Sequence, residues 1–282
     1  MTLSEIHIRD PYVLPFEGKY YLYGSRGGTC WGPADGFDCF VSGDLRHWDG
    51  PCEIFRRPEN FWSDRHFWAP EVHFYQGAFY LFASFKAEGV RRGTQILKAS
   101  NPLGPFGLHS DGPVTPSGWD CLDGTLYVEG GAPYIVFCHE WTQIKNGTVC
   151  ALKLSADLRE PIGEPFLMFR GADPGWAIPN AERYVTDGPF LYKTSNGELL
   201  MLWSTFASDY VQAVARSADG SLKGPWTHDE DLLFIKDGGH GMLFRTFGGE
   251  LMLTLHQPNT TPDERPKFFS VTESRGRLSV YC

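Results

Sequence analysis

The sequence predicts an all-β fold, a five-bladed β-propeller with four strands per blade, and three observations carry that expectation. One pattern recurs five times: a special residue, a short apolar run, a glycine turn and a second apolar run. The copies are 10–18, 69–77, 123–131, 187–197 and 240–248, led by Asp10, Ala69, Asp123, Asp187 and His240. Successive leads are 59, 54, 64 and 53 residues apart, slightly above the period typical of propeller blades. The runs themselves are four to six β-branched, aromatic and aliphatic residues bounded by Gly, Asn or Pro, which is the mark of strands. Nothing holds a helical spacing for long.

Each blade can be followed in order. In the first, the Gly18 turn leads into 20–25, and 38–42 reads as a third strand. In the second, 79–84 precedes 95–99, and in the third 133–138 precedes 149–153. The fourth pairs 199–203 with 211–215, and the fifth pairs 251–255 with 267–271. Third strands end on Ser42-Gly-Asp-Leu, Ser100-Asn-Pro-Leu, Ser155-Ala-Asp-Leu and Ser217-Ala-Asp-Gly. Polar turns of this kind end one strand and start another, so outer strands are expected near Trp48, Phe106, Pro165 and Trp226.

Composition narrows the function. The repeat covers nearly all of 1–282, so the chain reads as a single five-bladed β-propeller domain. A net charge of −9 argues against nucleic acid, whose binding rests on basic surface. No apolar run approaches the 18 residues a membrane helix needs. The start, Met-Thr-Leu-Ser-Glu-Ile, lacks a basic stretch followed by an apolar core, which sets a cytoplasmic location as the expectation. Seven cysteines without a CxxC pair read as mostly reduced core residues.

In a propeller the innermost strand of every blade starts at one end of the central axis. Asp10, Asp123, Asp187 and His240 should therefore meet at one mouth. Asp before Pro or Gly is also an ordinary turn former, but three at equivalent positions are harder to explain that way. Clustered carboxylates raise one another's pKa, and such strain gathers at functional sites. Second strands return to the same mouth and add Arg26, Glu140, Trp141 and Phe206. Trp68 lies just before an inner strand, and Trp31 and Arg265 lie in loops beyond the mouth. Aromatic plates suit the C–H faces of sugars, and two carboxyl groups flanking a glycosidic bond suffice for its hydrolysis.

Arg9-Asp10-Pro11, Trp68-Ala-Pro-Glu71, Leu122-Asp123-Gly124, Thr186-Asp187-Gly-Pro and Gly239-His240-Gly241 resemble, in order, the blade motifs of glycoside hydrolase family 43 across residues 6–272. That family comprises inverting α-L-arabinofuranosidases, β-xylosidases and arabinanases on five-bladed propellers. The resemblance implies Asp10 as general base and Asp123 as the carboxylate that tunes and orients the acid. It places His240 near the axis, where relatives hold a calcium ion or a structured water. No cofactor is otherwise required.

One departure stands out. The family's acid is a glutamate in Thr-Glu-Gly-Pro, and here Asp187 takes its place. Its carboxyl group falls back by more than ~1 Å, a misplacement that can cost on the order of 10²-fold in rate. Either Asp187 or Glu140, from the neighbouring blade, is the acid. Trp68, Trp141, Phe206, Arg265 and Arg26 are the expected sugar contacts, and Glu71 is expected to be structural. The expected activity is exo-acting, inverting release of a terminal pentose or furanose, α-L-arabinofuranose first, from short oligosaccharides. A β-xylosidase, a β-galactofuranosidase and a non-catalytic sugar-binding propeller are the alternatives. A retaining sucrose-type enzyme would need Asn where Arg9 stands.

Overall fold

The structure, a computed structural model, describes residues 1–281. Its strands form five antiparallel four-stranded sheets, each built from consecutive strands. Blade one is β1 (Ile8–Phe16), β2 (Lys19–Arg26), β3 (Gly36–Ser42) and β4 (Asp49–Arg56). Blade two is β5 (Arg65–Tyr75), β6 (Ala78–Ala87), β7 (Val90–Ala99) and β8 (Gly107–Leu108). Blade three is β9 (Cys121–Glu129), β10 (Ala132–His139), β11 (Thr148–Leu154) and β12 (Pro161–Arg170). Blade four is β13 (Asp187–Lys193), β14 (Leu199–Phe206), β15 (Tyr210–Ser217) and β16 (Trp226–His228). Blade five is β17 (Gly239–Arg245), β18 (Leu251–Gln257), β19 (Arg265–Ser274) and β20 (Arg277–Tyr281). Among the described residues helix is confined to a 3₁₀ turn, Leu3–Glu5, and to α1 (Trp141–Ile144).

Turn chemistry fixes the inner hairpins. Glu17-Gly18, Gln76-Gly77 and Gly130-Gly131 each hold two successive residues at positive φ, the geometry whose twist matches flanking antiparallel strands. The pairs Phe16–Lys19, Tyr75–Ala78 and Glu129–Ala132 close directly on those turns. Burial follows between blades rather than within them. Phe37, Phe55, Phe61, Phe67 and Phe85 interlock between blades one and two, and Trp203 with Phe169 does so between four and three. Cys30, Cys39, Cys121, Cys138 and Cys150 are buried and unbridged, as expected of reduced core residues; Cys52 is exposed. The ring closes by packing of β17 and β18 on β1, with the Met1 ammonium donating to the Trp48 carbonyl at 2.9 Å.

One repeated distortion positions the site. In every blade the register between inner and second strand slips, just after Arg9, Trp68, Leu122, Asp187 and Gly239. At that bulge Asp10, Ala69, Asp123 and His240 take φ of 53°, 47°, 56° and 52°. Such left-handed geometry costs non-glycine residues on the order of 1–3 kcal/mol and tends to collect at functional sites. In blade four the left-handed residue is Gly188, at φ 52°, and Asp187 precedes it. The spacing that made Asp187 a lead is thus corrected by one position: Asp187 is the structural equivalent of Arg9, Trp68, Leu122 and Gly239. The longer turn of that blade, which joins Lys193 to Leu199, hid the offset.

Candidate active site

The bulges turn Asp10, Asp123 and His240 onto one end of the axis, and Asp187 joins them from one residue upstream. Together with Arg9, Cys30, Trp31, His66, Trp68, Arg92, Leu122, Glu140, Trp141, Thr142 and Tyr210 they line a cavity of about 320 Å³. A larger cleft of about 520 Å³ lies between blades four and five, around 228–233 and 277–280, and contains none of this carboxylate cluster.

His240 is the hub. Its Nδ1 is 3.2 Å from Asp10 Oδ1 and 3.7 Å from Asp123 Oδ2. Burial opposes charge on the ring, but Asp10 and Asp123 outweigh it and push the imidazole up to about 10. Burial would likewise raise Asp10, yet His240 and then Arg9 hold its carboxyl well below the usual carboxylate range. Ser25 Oγ donates to Asp10 Oδ2 at 2.5 Å. Arg9 is steadied by Glu264 at 2.5 Å and Asn259 at 2.8 Å. Asp10 is in effect a dedicated anion.

The other two carboxyl groups are driven the opposite way. Burial is the largest cause in each, and His240 only partly offsets it. Asp123, also beside Asp187 and Asp10, is pushed up to about 7, and Asp187 to about 6. Asp123 Oδ2 accepts the backbone N–H of Gly188 at 3.0 Å. Asp187 Oδ1 accepts from Trp141 Nε1 at 3.3 Å, and its Oδ2 meets the Tyr210 hydroxyl at 3.1 Å. A buried site with one carboxylate held ionised and another held near neutrality has the division of labour that acid–base chemistry needs.

Two glycines make room. A Cβ on Gly188 would lie 2.7 Å from His240 Cδ2, and one on Gly239 would lie 2.6 Å from Tyr210 Cε1. His256, fully buried below, is pushed down to about 3 by burial and Arg9. Its Nδ1 accepts the Asp10 N–H at 3.3 Å, so its Nε2–H faces Asn259 Oδ1 at 3.1 Å. Among the described residues no group of three or more His, Cys, Asp or Glu side chains is arranged to hold a metal ion. His240 turns its Nδ1 toward the carboxylates of Asp10 and Asp123.

Glu140 reaches the cavity, but both its oxygens are engaged: Oε2 by Arg92 at 2.9 Å and Oε1 by Thr142 at 2.6 Å. The Arg92 guanidinium lies 3.6 Å over the Trp68 ring, and His66 stacks beside that ring at 5.1 Å. Trp68 and Trp141 line the cavity as expected of sugar platforms, and Trp31, 55% exposed, stands at its rim. Three expected contacts do not. Arg26 is drawn away by Asp38 at 2.6 Å and Asp35 at 2.8 Å. Arg265 is spent on the carbonyls of Ser4, Pro262 and Glu264 and on His7. Phe206 packs on Tyr210 outside the lining. Glu71 is buried and bonded to His73 at 3.0 Å, a structural carboxylate. Sequence reasoning missed Tyr210, Arg92 and His66. Tyr210 opens a third strand, and only Gly239 could have hinted that a large ring crosses toward the axis.

The chain matches the model of glycosyl hydrolases family 43 over residues 3–272. It is similar to the endo-arabinase of Bacteroides thetaiotaomicron VPI-5482, with a TM-score of 0.91 and 36% identity over 98% of both chains. It is 22% identical to the extracellular endo-alpha-(1->5)-L-arabinanase 1 of Bacillus subtilis (strain 168) over 82% of this chain and 71% of that one. The alpha-L-arabinofuranosidase 43 of Humicola insolens is 25% identical over 60% of this chain and 36% of its own length. With five left-handed bulges delivering an aspartate, carboxyl and imidazole cluster to one cavity, the chain belongs to glycosyl hydrolases family 43 and is a hydrolase of glycosidic bonds.

Proposed function

We propose that the protein is an exo-acting, inverting glycosidase that releases a terminal α-L-arabinofuranose from short oligosaccharides. Asp10 acts as general base: it takes a proton from the water that attacks the anomeric carbon. Asp187 acts as general acid: it gives its proton to the leaving oxygen as the glycosidic bond breaks. Asp123 and Asp187 titrate as a pair, and Asp187, which lines the cavity beside Trp141 and Tyr210, is the member placed to deliver a proton to the leaving oxygen. Glu140 is an anchor for Arg92 and not the acid, since both its oxygens are taken up by Arg92 and Thr142. The observation that carries the reading is the different setting of two carboxyl groups in one cavity: Asp10 lies 3.2 Å from the His240 imidazole and accepts from Ser25, whereas Asp187 meets Trp141 and Tyr210.

The cavity of about 320 Å³ sits at the small end of the roughly 300–1,000 Å³ usual for ligand sites. That supports a pocket for one terminal sugar. The names of the Humicola insolens and Bacillus subtilis relatives support arabinose. The similarity to an endo-arabinase favours a second reading, cleavage within an arabinan chain. Linear arabinan separates them: monosaccharide as sole early product supports exo action, and a ladder of oligosaccharides supports endo action. A nitrophenyl glycoside screen tests the sugar, and NMR of the first-formed anomer tests inversion. His240 serves the axis without an obligatory metal, so chelation should leave turnover unchanged. Small oligosaccharide substrates suit a cytoplasmic location, which cell fractionation tests directly.

A further inference from the structure

Asp187 is surrounded in a way that constrains where its proton can go. Trp141 Nε1–H can only donate, so Oδ1 is an acceptor in either protonation state. The proton of neutral Asp187 therefore belongs on Oδ2, whose hydrogen-bond partner is the Tyr210 hydroxyl at 3.1 Å. A phenol both accepts and donates. Tyr210 lines the cavity although only 2% exposed, and its ring is wedged between Phe206 at 5.3 Å and His256 at 5.7 Å. The side chain enters from β15, a third strand, through the gap left by Gly239. A large ring has been brought across a blade to stand beside the shorter of the two acidic side-chain types.

We propose that Tyr210 is a catalytic member of the acid, its hydroxyl passing the proton of Asp187 to the leaving oxygen. The proposal rests on Asp187 being the acid. The phenol O–H donates its proton to the leaving oxygen as that oxygen takes the electron pair of the breaking glycosidic bond. Oδ2–H of Asp187 replaces the proton on the phenol oxygen, and Asp187 is left as carboxylate. Tyr210 ends as it began. Burial and the nearby Asp187 charge keep the phenol protonated, well above its ordinary pKa, so it acts as a bridge and not as a source. The hydroxyl spans the distance that an aspartate, one methylene shorter than glutamate, leaves open.

The test uses four variants: Tyr210→Phe, Asp187→Asn, Asp187→Glu and the double variant Tyr210→Phe with Asp187→Glu. Two substrates are compared, the nitrophenyl glycoside that the wild type cleaves fastest and the unactivated disaccharide of the same sugar. Tyr210→Phe keeps the ring and its packing. It should slow the disaccharide by about 10²-fold or more and the nitrophenyl glycoside by less than about fivefold, since an acidic leaving group needs little protonation. Adding Asp187→Glu to Tyr210→Phe should recover at least about tenfold on the disaccharide, because the longer acid reaches the leaving oxygen itself. Equal losses on both substrates, or no recovery in the double variant, would overturn the relay and make Tyr210 a packing residue. Asp187→Asn reports separately. If it lacks the leaving-group dependence, the assignment of Asp187 as acid fails, and the relay fails with it.

Discussion

His240→Gln isolates the charge at the centre of the site. The imidazolium lies 3.2 Å from Asp10 and 3.7 Å from Asp123. Unit charges at those distances attract by about 5 and 4 kcal/mol at an effective dielectric of about 20. Losing the first of these would raise the Asp10 pKa by as much as about 3–4 units, at 1.36 kcal/mol per unit. His256 cannot substitute, because burial and Arg9 keep it neutral down to about pH 3. Asp10 would then titrate in the ordinary carboxylate range, near about pH 4 or above. The assay is kcat/KM against pH. The wild type should show no acidic limb from Asp10 above pH 4, whereas the variant should lose activity steeply as pH falls toward 4. Unfolding by urea at pH 6 should show a stability loss of about 3–5 kcal/mol, the cost of orphaning a buried charge. An unmoved acidic limb would refute His240 as the group that keeps Asp10 ionised, even if the variant were less stable.

Asp10→Asn should lower turnover by at least about 10²–10⁴-fold with substrate binding nearly unchanged, because only water activation is removed; product formation and calorimetric titration read the two effects, and turnover within tenfold of wild type would remove Asp10 from the role. The alkaline limb of kcat/KM should fall in the pH 6–7 region. There Asp187 and Asp123, raised to about 6 and 7, lose the proton that the acid must donate, so activity declines tenfold per unit above it. An alkaline limb beginning only near pH 9 would contradict that assignment. Gly239→Ala places a methyl 2.6 Å from the Tyr210 ring and 2.7 Å from Ser204 Oγ. It should cost about 1–3 kcal/mol in overpacking and slow turnover as Tyr210 is displaced, which denaturant titration and steady-state kinetics would reveal.

The blade order, the strand runs and the convergence of Asp10, Asp123, Asp187 and His240 were legible because each is a local pattern repeated along the chain. Strand alternation and glycine turns depend on neighbours a few residues apart, and the axis follows from repetition. The failures came where one residue acts across a blade. Arg26 was read as facing sugar because its strand ends at the mouth, yet Asp35 and Asp38, nine and twelve residues further along, claim its guanidinium. Arg92 and His66 were invisible because their meeting over Trp68 depends on a tertiary stack and not on spacing. The frame error at Asp187 has the same root. Asp and Gly stand side by side there, and only the backbone φ reveals that Gly188 carries the bulge.

That one-residue offset also explains why Asp123 is held as it is. In three blades the lead N–H is taken by a hydroxyl of the preceding blade's second strand or its counterpart. Ser25 Oγ accepts from Ala69, Ser84 Oγ from Asp123 and Ser204 Oγ from His240, at 2.8, 2.9 and 2.7 Å. His256 Nδ1 performs the same task for Asp10. These four groups face Arg9, Trp68, Asp187 and Gly239 across their blades, and the fifth such position, facing Leu122, is Cys138. A thiol is a poor acceptor, and the Gly188 N–H goes instead to Asp123 Oδ2 at 3.0 Å. The blade junction that lacks a hydroxyl is therefore closed by a carboxylate. Asp123 is fixed to the backbone of the residue that follows Asp187, so the pair cannot drift apart without breaking the ring of junction bonds. Fold and carboxylate cluster share one hydrogen bond, and the backbone beside Asp187 is held by a contact that also joins blade three to blade four.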